Sequence, residues 1–160
     1  MMSPSSTPAF PDPMHWHDGL LLGYRPMDAT HEEFVQCVAA VQRAADDALP
    51  AAVDVLADHL RRHFGEEDQW MEQTQFPARQ CHMDEHAAVL KSVGEVQTLL
   101  AQGNTDVCRR LAQELAHWFP GHADYLDSAL AHWMCKLRLG GKPVVIRRGV
   151  ASHGPGPSTA

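Results

Sequence analysis

Four stretches of helical hydrophobic periodicity, separated by short breaks, most constrain what this 160-residue chain can fold into. Apolar residues recur at spacings of three and four, the pattern of a helix with one buried face. The pattern predicts helices over residues 28–49, 51–73, 78–102 and 106–137. No strand is predicted inside these ranges, and short connections favour antiparallel neighbours. The sequence therefore predicts an all-α fold, an antiparallel up-and-down four-helix bundle.

The predicted helix ends depend on capping residues and prolines. Asp28 is the expected N-cap of the first helix, and Pro50 is expected to follow its last turn. Thr105 can cap the fourth helix. Pro120 and Gly121 lie inside that helix, and a proline there removes a backbone donor and clashes with the preceding turn. We expect a kink directly before the next residue, with a break into two shorter helices as the alternative.

The segments outside the bundle and the net charge predict the location and the partners of the protein. Residues 1–13 are expected to be a disordered lead, residues 14–137 the bundle, and residues 138–160 a partly disordered tail. The lead has neither the basic start nor the apolar stretch of a signal peptide, and no long apolar run follows. A net charge of −7 argues against nucleic acid as a partner. We expect a cytoplasmic protein with no membrane partner.

Histidine is the unusual component of the sequence, with eleven residues, eight of them between residues 31 and 132. Two pairs at a spacing of four place two metal-ligand side chains on one helix face, His63 with Glu67 and His82 with His86. The other two helices contribute isolated candidates. The five imidazoles and two carboxylates that could meet in the interior are His31, His63, Glu67, His82, His86, His122 and Asp127.

These side chains favour a dinuclear metal site over a metal-free interior. Imidazole suits iron, zinc and copper, a carboxylate can bridge two ions, and seven ligands exceed what one ion needs. Without metal, burying them would be costly, so solvated helix faces are the alternative. Phe64 beside His63, and Trp118 and Phe119 just before His122, favour inward-facing positions.

Several short motifs occur in a fixed order along the chain. They are Trp16-His17-Asp18, Leu22-Gly23, Met27 to His31, His63-Phe64 with Glu66-Glu67 and Met71, His82-x-x-x-His86, and Trp118-Phe119-x-x-His122 followed by Asp127. Together they resemble the bacteriohemerythrins, members of the hemerythrin family with its HHE cation-binding domain. The resemblance covers roughly residues 14–137, and the order and spacing of the motifs both fit.

The resemblance implies a non-haem di-iron protein that binds dioxygen reversibly, for storage, delivery or sensing. It implies two irons joined by an oxo or hydroxo group, with dioxygen as the ligand. One iron would be bound by His82, His86 and His122, and the other, where dioxygen binds, by His31 and His63. Glu67 and Asp127 would bridge the two ions. No catalytic residues are implied, so an enzyme is not expected; a di-iron enzyme that reduces peroxide or nitric oxide, or an iron storage or repair protein, is the alternative.

The same resemblance implies an apolar wall around the dioxygen pocket. This wall would consist of Phe34, Phe64, Trp118, Phe119 and Ala123. Phe119 stands where the family often has leucine, and Ala123 where it has a larger aliphatic residue. A large ring beside a small methyl group is expected to reshape the pocket without affecting iron binding.

Overall fold

The computed structural model describes residues 12–147, and it is helical throughout its regular part. A short 3-10 turn at Asp18–Leu20 precedes α1. The longer helices that follow are α1 (Arg25–Arg43), α2 (Leu49–Gln73), α3 (Arg79–Ala101), α4 (Asp106–His122) and α5 (Ser128–Leu139). A π-helical turn, Ala123–Asp127, joins α4 to α5 without a break, so these three pieces form the fourth helix of the bundle.

The helices pack as a closed ring of four neighbours. The first helix packs against α2 and α4, and α3 packs against the same two partners. Together with the short connections, this arrangement is the predicted all-α four-helix bundle, and no strand occurs in residues 12–147. None of the helices described is long and apolar enough to cross a membrane.

Two apolar clusters fill the bundle, and a polar layer separates them. The larger cluster contains Phe34, Leu56 and Leu115, and the smaller one contains Met71 and Met134. Along each helix, the predicted metal-ligand positions fall between residues of these two clusters. The buried polar groups are therefore held in one layer, with packed hydrocarbon on both sides.

Several predicted helix ends were wrong. The first helix ends at Arg43, and Pro50 lies in the first turn of α2. Backbone N–H groups in a first turn form no intrahelical hydrogen bond, so a proline without an N–H is tolerated there. Asp28 lies inside the first turn of α1, where its carboxylate accepts hydrogen bonds from the preceding backbone N–H groups of Leu22 and Gly23 at 2.8 and 3.0 Å. It therefore ties the incoming loop to the helix instead of capping it.

The cap of the fourth helix also differs from the prediction. Thr105 makes no side-chain cap hydrogen bond. Instead, Asn104 accepts a hydrogen bond from the backbone N–H of Val107 at 3.3 Å. Asparagine is an equally good acceptor for the free N–H groups of a first turn, so the residue one position earlier takes this role.

The helix neither breaks nor ends at Pro120; α4 continues through it to His122. The irregularity comes directly afterwards, where the backbone N–H of Ser128 donates to the carbonyl of Ala123, five residues back. Such a π-turn inserts one extra residue into a helix and occurs frequently at functional sites. It lies beside the predicted ligands of the fourth helix.

The segment that follows α5 packs against the loop before α1. Gly23 has a φ of +85°, and a Cβ added there would lie 2.8 Å from the Cβ of Pro143. The tail residues that follow α5 therefore cover the loop before α1. The disorder expected for residues 1–13 and for the end of the tail concerns mainly residues 1–11 and 148–160, which lie outside the described part.

Candidate metal centre

The structure brings all of the predicted metal-ligand side chains together in the polar layer of the bundle. Each is at most 5% exposed. Their ligand atoms form two overlapping groups, each compact enough to hold a metal ion. One group contains Glu67, His82, His86, His122 and Asp127, and the other contains His31, His63 and Glu67. Glu67 belongs to both, so two metal positions would be adjacent.

Helix geometry explains how most of these side chains meet. His63 and Glu67 are one turn apart on α2, and the His63 Nε2 lies 3.0 Å from a Glu67 carboxylate oxygen. His82 and His86 are likewise one turn apart on α3, with ring centroids 4.5 Å apart. Residues spaced by four share a helix face, as the sequence pattern predicts.

The π-turn brings His122 and Asp127 to the same face of the fourth helix. His122 and Asp127 are five residues apart, and in an ideal α-helix that spacing separates two side chains by about 140° around the axis. The extra residue accommodated by the turn returns Asp127 to the face of His122, with Nε2 and Oδ1 3.2 Å apart. Both side chains therefore face one centre.

Glu67 presents a different oxygen to each histidine group. Its Oε1 lies 3.0 Å from His63 Nε2 and 3.4 Å from His31 Nε2. Its Oε2 lies 3.3 Å from His86 Nε2 and 3.5 Å from His82 Nε2. A carboxylate that bridges two cations has this division, with one oxygen directed at each ion.

Asp127 divides its oxygens in the same way. Its Oδ2 lies 3.2 Å from His31 Nε2, while Oδ1 lies 2.9 Å from His82 Nε2 and 3.2 Å from His122 Nε2. The two carboxylates therefore lie between one group of three imidazoles (His82, His86 and His122) and one group of two (His31 and His63). These groups are called the three-histidine side and the two-histidine side below.

The electrostatics of the layer favour bound positive charge. Burial and the charge of Glu67 would raise the pKa of Asp127, but contacts with His122, His31 and His82 lower it far below its usual range. Burial alone would lower the pKa of His31, yet its contacts with Asp127 and Glu67 raise it to about 10. The same opposition raises the pKa of His82 to about 9. Two ionised carboxylates inside the bundle thus require cationic partners, either protons on histidine or metal ions.

Unpartnered polar atoms show that metal ions fit this layer. Buried polar atoms in folded proteins are nearly always hydrogen-bonded. Here the Nε2 atoms of His31, His82, His86 and His122 are buried, and they approach carboxylate oxygens without forming a hydrogen bond. Both oxygens of Asp127 are in the same condition. A set of imidazole nitrogens and carboxylate oxygens that converge without satisfying one another matches the ligand preference of transition metals such as iron, zinc and copper.

Two carboxylates that the sequence reasoning missed support the three-histidine side. The Nδ1 of His86 lies 2.7 Å from Asp68, and the Nδ1 of His122 lies 2.7 Å from Glu85. An imidazole that donates its Nδ1–H to a carboxylate keeps the Nε2 lone pair free for a metal and holds the ring in place. Asp68 and Glu85 resemble the many other acids on helix surfaces, so only the spatial arrangement identifies them.

The predicted pocket residues lie together beside the polar layer. The larger apolar cluster contains Phe34, Phe64, Phe119 and Ala123, and Trp118 packs against it. Phe34 and Phe119 lie on the two-histidine side, with centroids 4.6 Å apart, and Phe119 contacts His31 edge-on at 5.0 Å. Trp118 lies on the three-histidine side, 4.3 Å from His122. Phe64 contacts both sides, because its ring stacks on His86 at 4.0 Å and lies 5.1 Å from His63.

The remaining histidines and the acid beside Glu67 differ in exposure. His117 and His132 are exposed, and so is Glu66. His59, in contrast, is 4% exposed and lies one turn before His63. Burial, together with the nearby positive groups of His63 and Arg62, lowers the pKa of His59 to about 4.

Fold and site together define a class of protein: a four-helix bundle whose interior holds a buried cluster of histidines and carboxylates that could bind metal ions. The hemerythrin HHE cation-binding domain model matches residues 22–133. The chain belongs to the hemerythrin family.

Curated relatives support the same assignment. A bacteriohemerythrin of Ralstonia nicotianae is 36% identical over 77% of this chain and 90% of its own length. Bacteriohemerythrins of Stenotrophomonas maltophilia and Pseudomonas aeruginosa are each 27% identical, over 72% and 76% of this chain and 78% and 84% of their own lengths. No solved structure gave a significant match. Family membership implies an iron cofactor and supports a di-iron protein.

Proposed function

We propose that this protein binds dioxygen reversibly at two irons and does not act as an enzyme. His82, His86 and His122 would hold one iron, and His31 and His63 would hold the other. Glu67 and Asp127, which face both groups of histidines, would be ligands of both irons. When bound, the two ferrous ions can each lend dioxygen one electron and regain it on release.

The unequal division of the imidazoles is the observation that carries this proposal. Both carboxylates are directed to both sides, but three histidines lie on one side and two on the other. An ion on the two-histidine side would therefore have one protein ligand fewer than its neighbour. A small molecule can complete its coordination without displacing a side chain.

The surrounding residues would hold this ligand set in place and keep water away from it. Asp68 and Glu85 fix the rings of His86 and His122. Phe34 and Phe119, which are fully buried, cover the two-histidine side with hydrocarbon. Neutral imidazoles add no charge, so the two carboxylates offset part of the charge of the ions. Apolar surroundings also disfavour charge separation, which would lead to irreversible oxidation.

Metal content and an optical spectrum test the proposal. The purified protein should hold about two irons per chain, because seven ligands exceed the needs of one ion. Anaerobically reduced protein should gain a visible absorption band on exposure to air and lose it when oxygen is removed. One metal per chain after full reconstitution would contradict the dinuclear centre.

A turnover assay separates the binding protein from the enzyme. If the reduced protein binds dioxygen reversibly, the visible band should survive several cycles of air and argon. Steady consumption of hydrogen peroxide or nitric oxide with an electron donor, without a reversible band, would favour a di-iron enzyme. Iron uptake far beyond two per chain would favour storage.

A further inference from the structure

A ladder of polar side chains runs along α2 from the protein surface to the metal centre. His59, His63 and Glu67 follow one another at a spacing of four, so they lie on one face of the helix. Neighbouring rings are close: the centroids of His59 and His63 are 5.4 Å apart. At the outer end, the Nδ1 of His59 lies 3.5 Å from a carboxylate oxygen of Glu33 on α1, which is largely exposed.

His59 is an unexpected residue at this position. It lies beside Phe34, with ring centroids 6.3 Å apart, and its Nε2 is buried without a hydrogen-bond partner. The Nδ1 of His63, on the next rung, is also buried and unpartnered. An unsatisfied buried polar atom is costly, and a leucine or phenylalanine would fill the same space without that cost.

We propose that Glu33 and His59 form a transient divalent-cation site through which iron enters and leaves the centre. The carboxylate and imidazole would take a ferrous ion from solvent and pass it to His63 and Glu67 by stepwise ligand exchange. The ladder provides a nitrogen or oxygen ligand at each step, whereas the Phe34 and Phe119 side chains beside it provide none. This inference rests on the proposed di-iron site but not on its reaction with dioxygen.

Arg62 covers the outer end of the ladder. Its guanidinium lies 2.8 Å from the Glu33 carboxylate and 3.4 Å from the Nδ1 of His59. Both partners of the ion pair are more than half exposed. Such pairs contribute little to stability and open readily. A positive group at this point competes with an incoming cation for Glu33 and repels it, so Arg62 should slow the exchange.

The test measures the rate at which metal leaves the full-length protein loaded with Co²⁺, whose visible absorption reports occupancy, after mixing with excess EDTA. Release follows the entry route in reverse. His59→Leu should release Co²⁺ about tenfold more slowly, because the slowest exchange step then has no imidazole to receive the ion. Arg62→Gln should release it about threefold faster, because a repelling charge is gone.

The matched control is Arg61→Gln. Arg61 is the neighbouring arginine, similarly exposed, and it pairs with Asp58 at 3.1 Å, away from the ladder. The Arg61→Gln variant should release Co²⁺ at the wild-type rate. His59→Gln keeps an oxygen ligand that binds the ion more weakly than imidazole, so it should release Co²⁺ at a rate between those of His59→Leu and the wild type. Equilibrium Co²⁺ content should remain unchanged in all variants.

Two results would overturn the entry route. One is wild-type release from both His59 variants at equal Co²⁺ content. The other is release from Arg62→Gln that is no faster than release from Arg61→Gln, which would place the route elsewhere. Because Arg62 is a surface residue, this comparison tests the route by itself if the His59 variants fold poorly. Neither result depends on dioxygen. The optical test can therefore contradict the proposed function while the entry route is supported, and Co²⁺ release can contradict the entry route while the proposed function is supported.

Discussion

The two sides of the metal centre are built on different principles, although they share the same bridging carboxylates. On the three-histidine side, carboxylates orient two of the three imidazoles, since Asp68 contacts His86 and Glu85 contacts His122, whereas the Nδ1 of His82 is buried without a hydrogen-bond partner. On the two-histidine side, the Nδ1 atoms of His31 and His63 are buried without hydrogen-bond partners. Their surroundings are the rings of phenylalanine side chains.

This difference indicates that the two sides have different roles in metal and ligand binding. Hydrogen bonds to charged groups fix a ligand strongly, so the three-histidine side is suited to hold its ion in one geometry. Ring packing fills space and excludes water but imposes weaker orientation. The two-histidine side is therefore suited to gain and lose a small ligand, and the predictions below test whether the two sides separate in this way.

The largest expected effect is the loss of metal binding on both sides of the centre. Replacing Glu67 with Ala removes an oxygen from each ion, so iron content should fall from about two per chain to about one or fewer. The expected visible band should disappear with it. Metal analysis and an optical spectrum of the purified variant check this prediction.

The neighbouring acid provides the control for that experiment. Glu66→Ala should leave iron content and spectrum unchanged, because Glu66 is exposed whereas the adjacent Glu67 is buried. If Glu66→Ala destroyed the centre while Glu67→Ala left it intact, the assignment of the bridging residue would be wrong.

The next largest effect should come from the wall of the two-histidine side. Phe119→Ala removes a fully buried ring that contacts both Phe34 and His31. The cavity should lower the free energy of unfolding by about 3 kcal/mol or more. It should also admit water, so the visible band should decay faster in air while iron content stays the same. Phe119→Leu should lie between the alanine variant and the wild type.

Phe64 on the three-histidine side sharpens this prediction. Phe64→Leu should lower stability, because it removes the ring that stacks on His86. It should nevertheless change the decay of the band less than Phe119→Leu does, because Phe64 contacts the His63 ring only at 5.1 Å and stacks mainly on His86. Equal decay for the two leucine variants, measured in air at equal iron content, would mean that both rings protect the two-histidine side equally.

Local patterns in the sequence were sufficient to predict the bundle and to choose ligand candidates that meet in space. Helical periodicity and a spacing of four are properties of a single helix, so His63 with Glu67, and His82 with His86, can be recognised without tertiary information. The isolated candidates in the other two helices, His31, His122 and Asp127, could be chosen by residue type, and the family resemblance gave each candidate an expected role. The helix ends were less predictable, because a side chain such as Asp28 can bind several neighbouring N–H groups.

Features that depend on packing between helices could not be predicted in this way. The π-turn after His122 places Asp127 against His31 and His82, which belong to other helices, so its role follows from contacts that local spacing does not contain. Asp68 and Glu85 become special only through the histidines opposite them. The burial of His59 depends on α1, where Phe34 and Glu33 contact it.

A smaller effect should come from the carboxylate that supports His86. Asp68→Asn replaces a charge-assisted hydrogen bond with a neutral one, and the ring loses part of its orientation. Metal affinity should fall by about tenfold, the lower end of the range for such supporting groups. Competition with a chelator of known affinity measures this change. An unchanged affinity would mean that the contact of 2.7 Å does not support metal binding.

The smallest effect should come from Glu85, the corresponding partner of His122. Its side chain is 48% exposed, against 30% for Asp68, so water screens its charge more strongly and replaces its hydrogen bond more readily. Glu85→Gln should therefore lower metal affinity by only about two- to threefold, below the usual range for such groups. The same chelator competition, run beside Asp68→Asn, tests the order of the two. If Glu85→Gln proved more harmful than Asp68→Asn, solvent exposure would not control how strongly a supporting carboxylate acts. The orientation of His122, carried by the helix with the π-turn, would then be the weaker point of the three-histidine side.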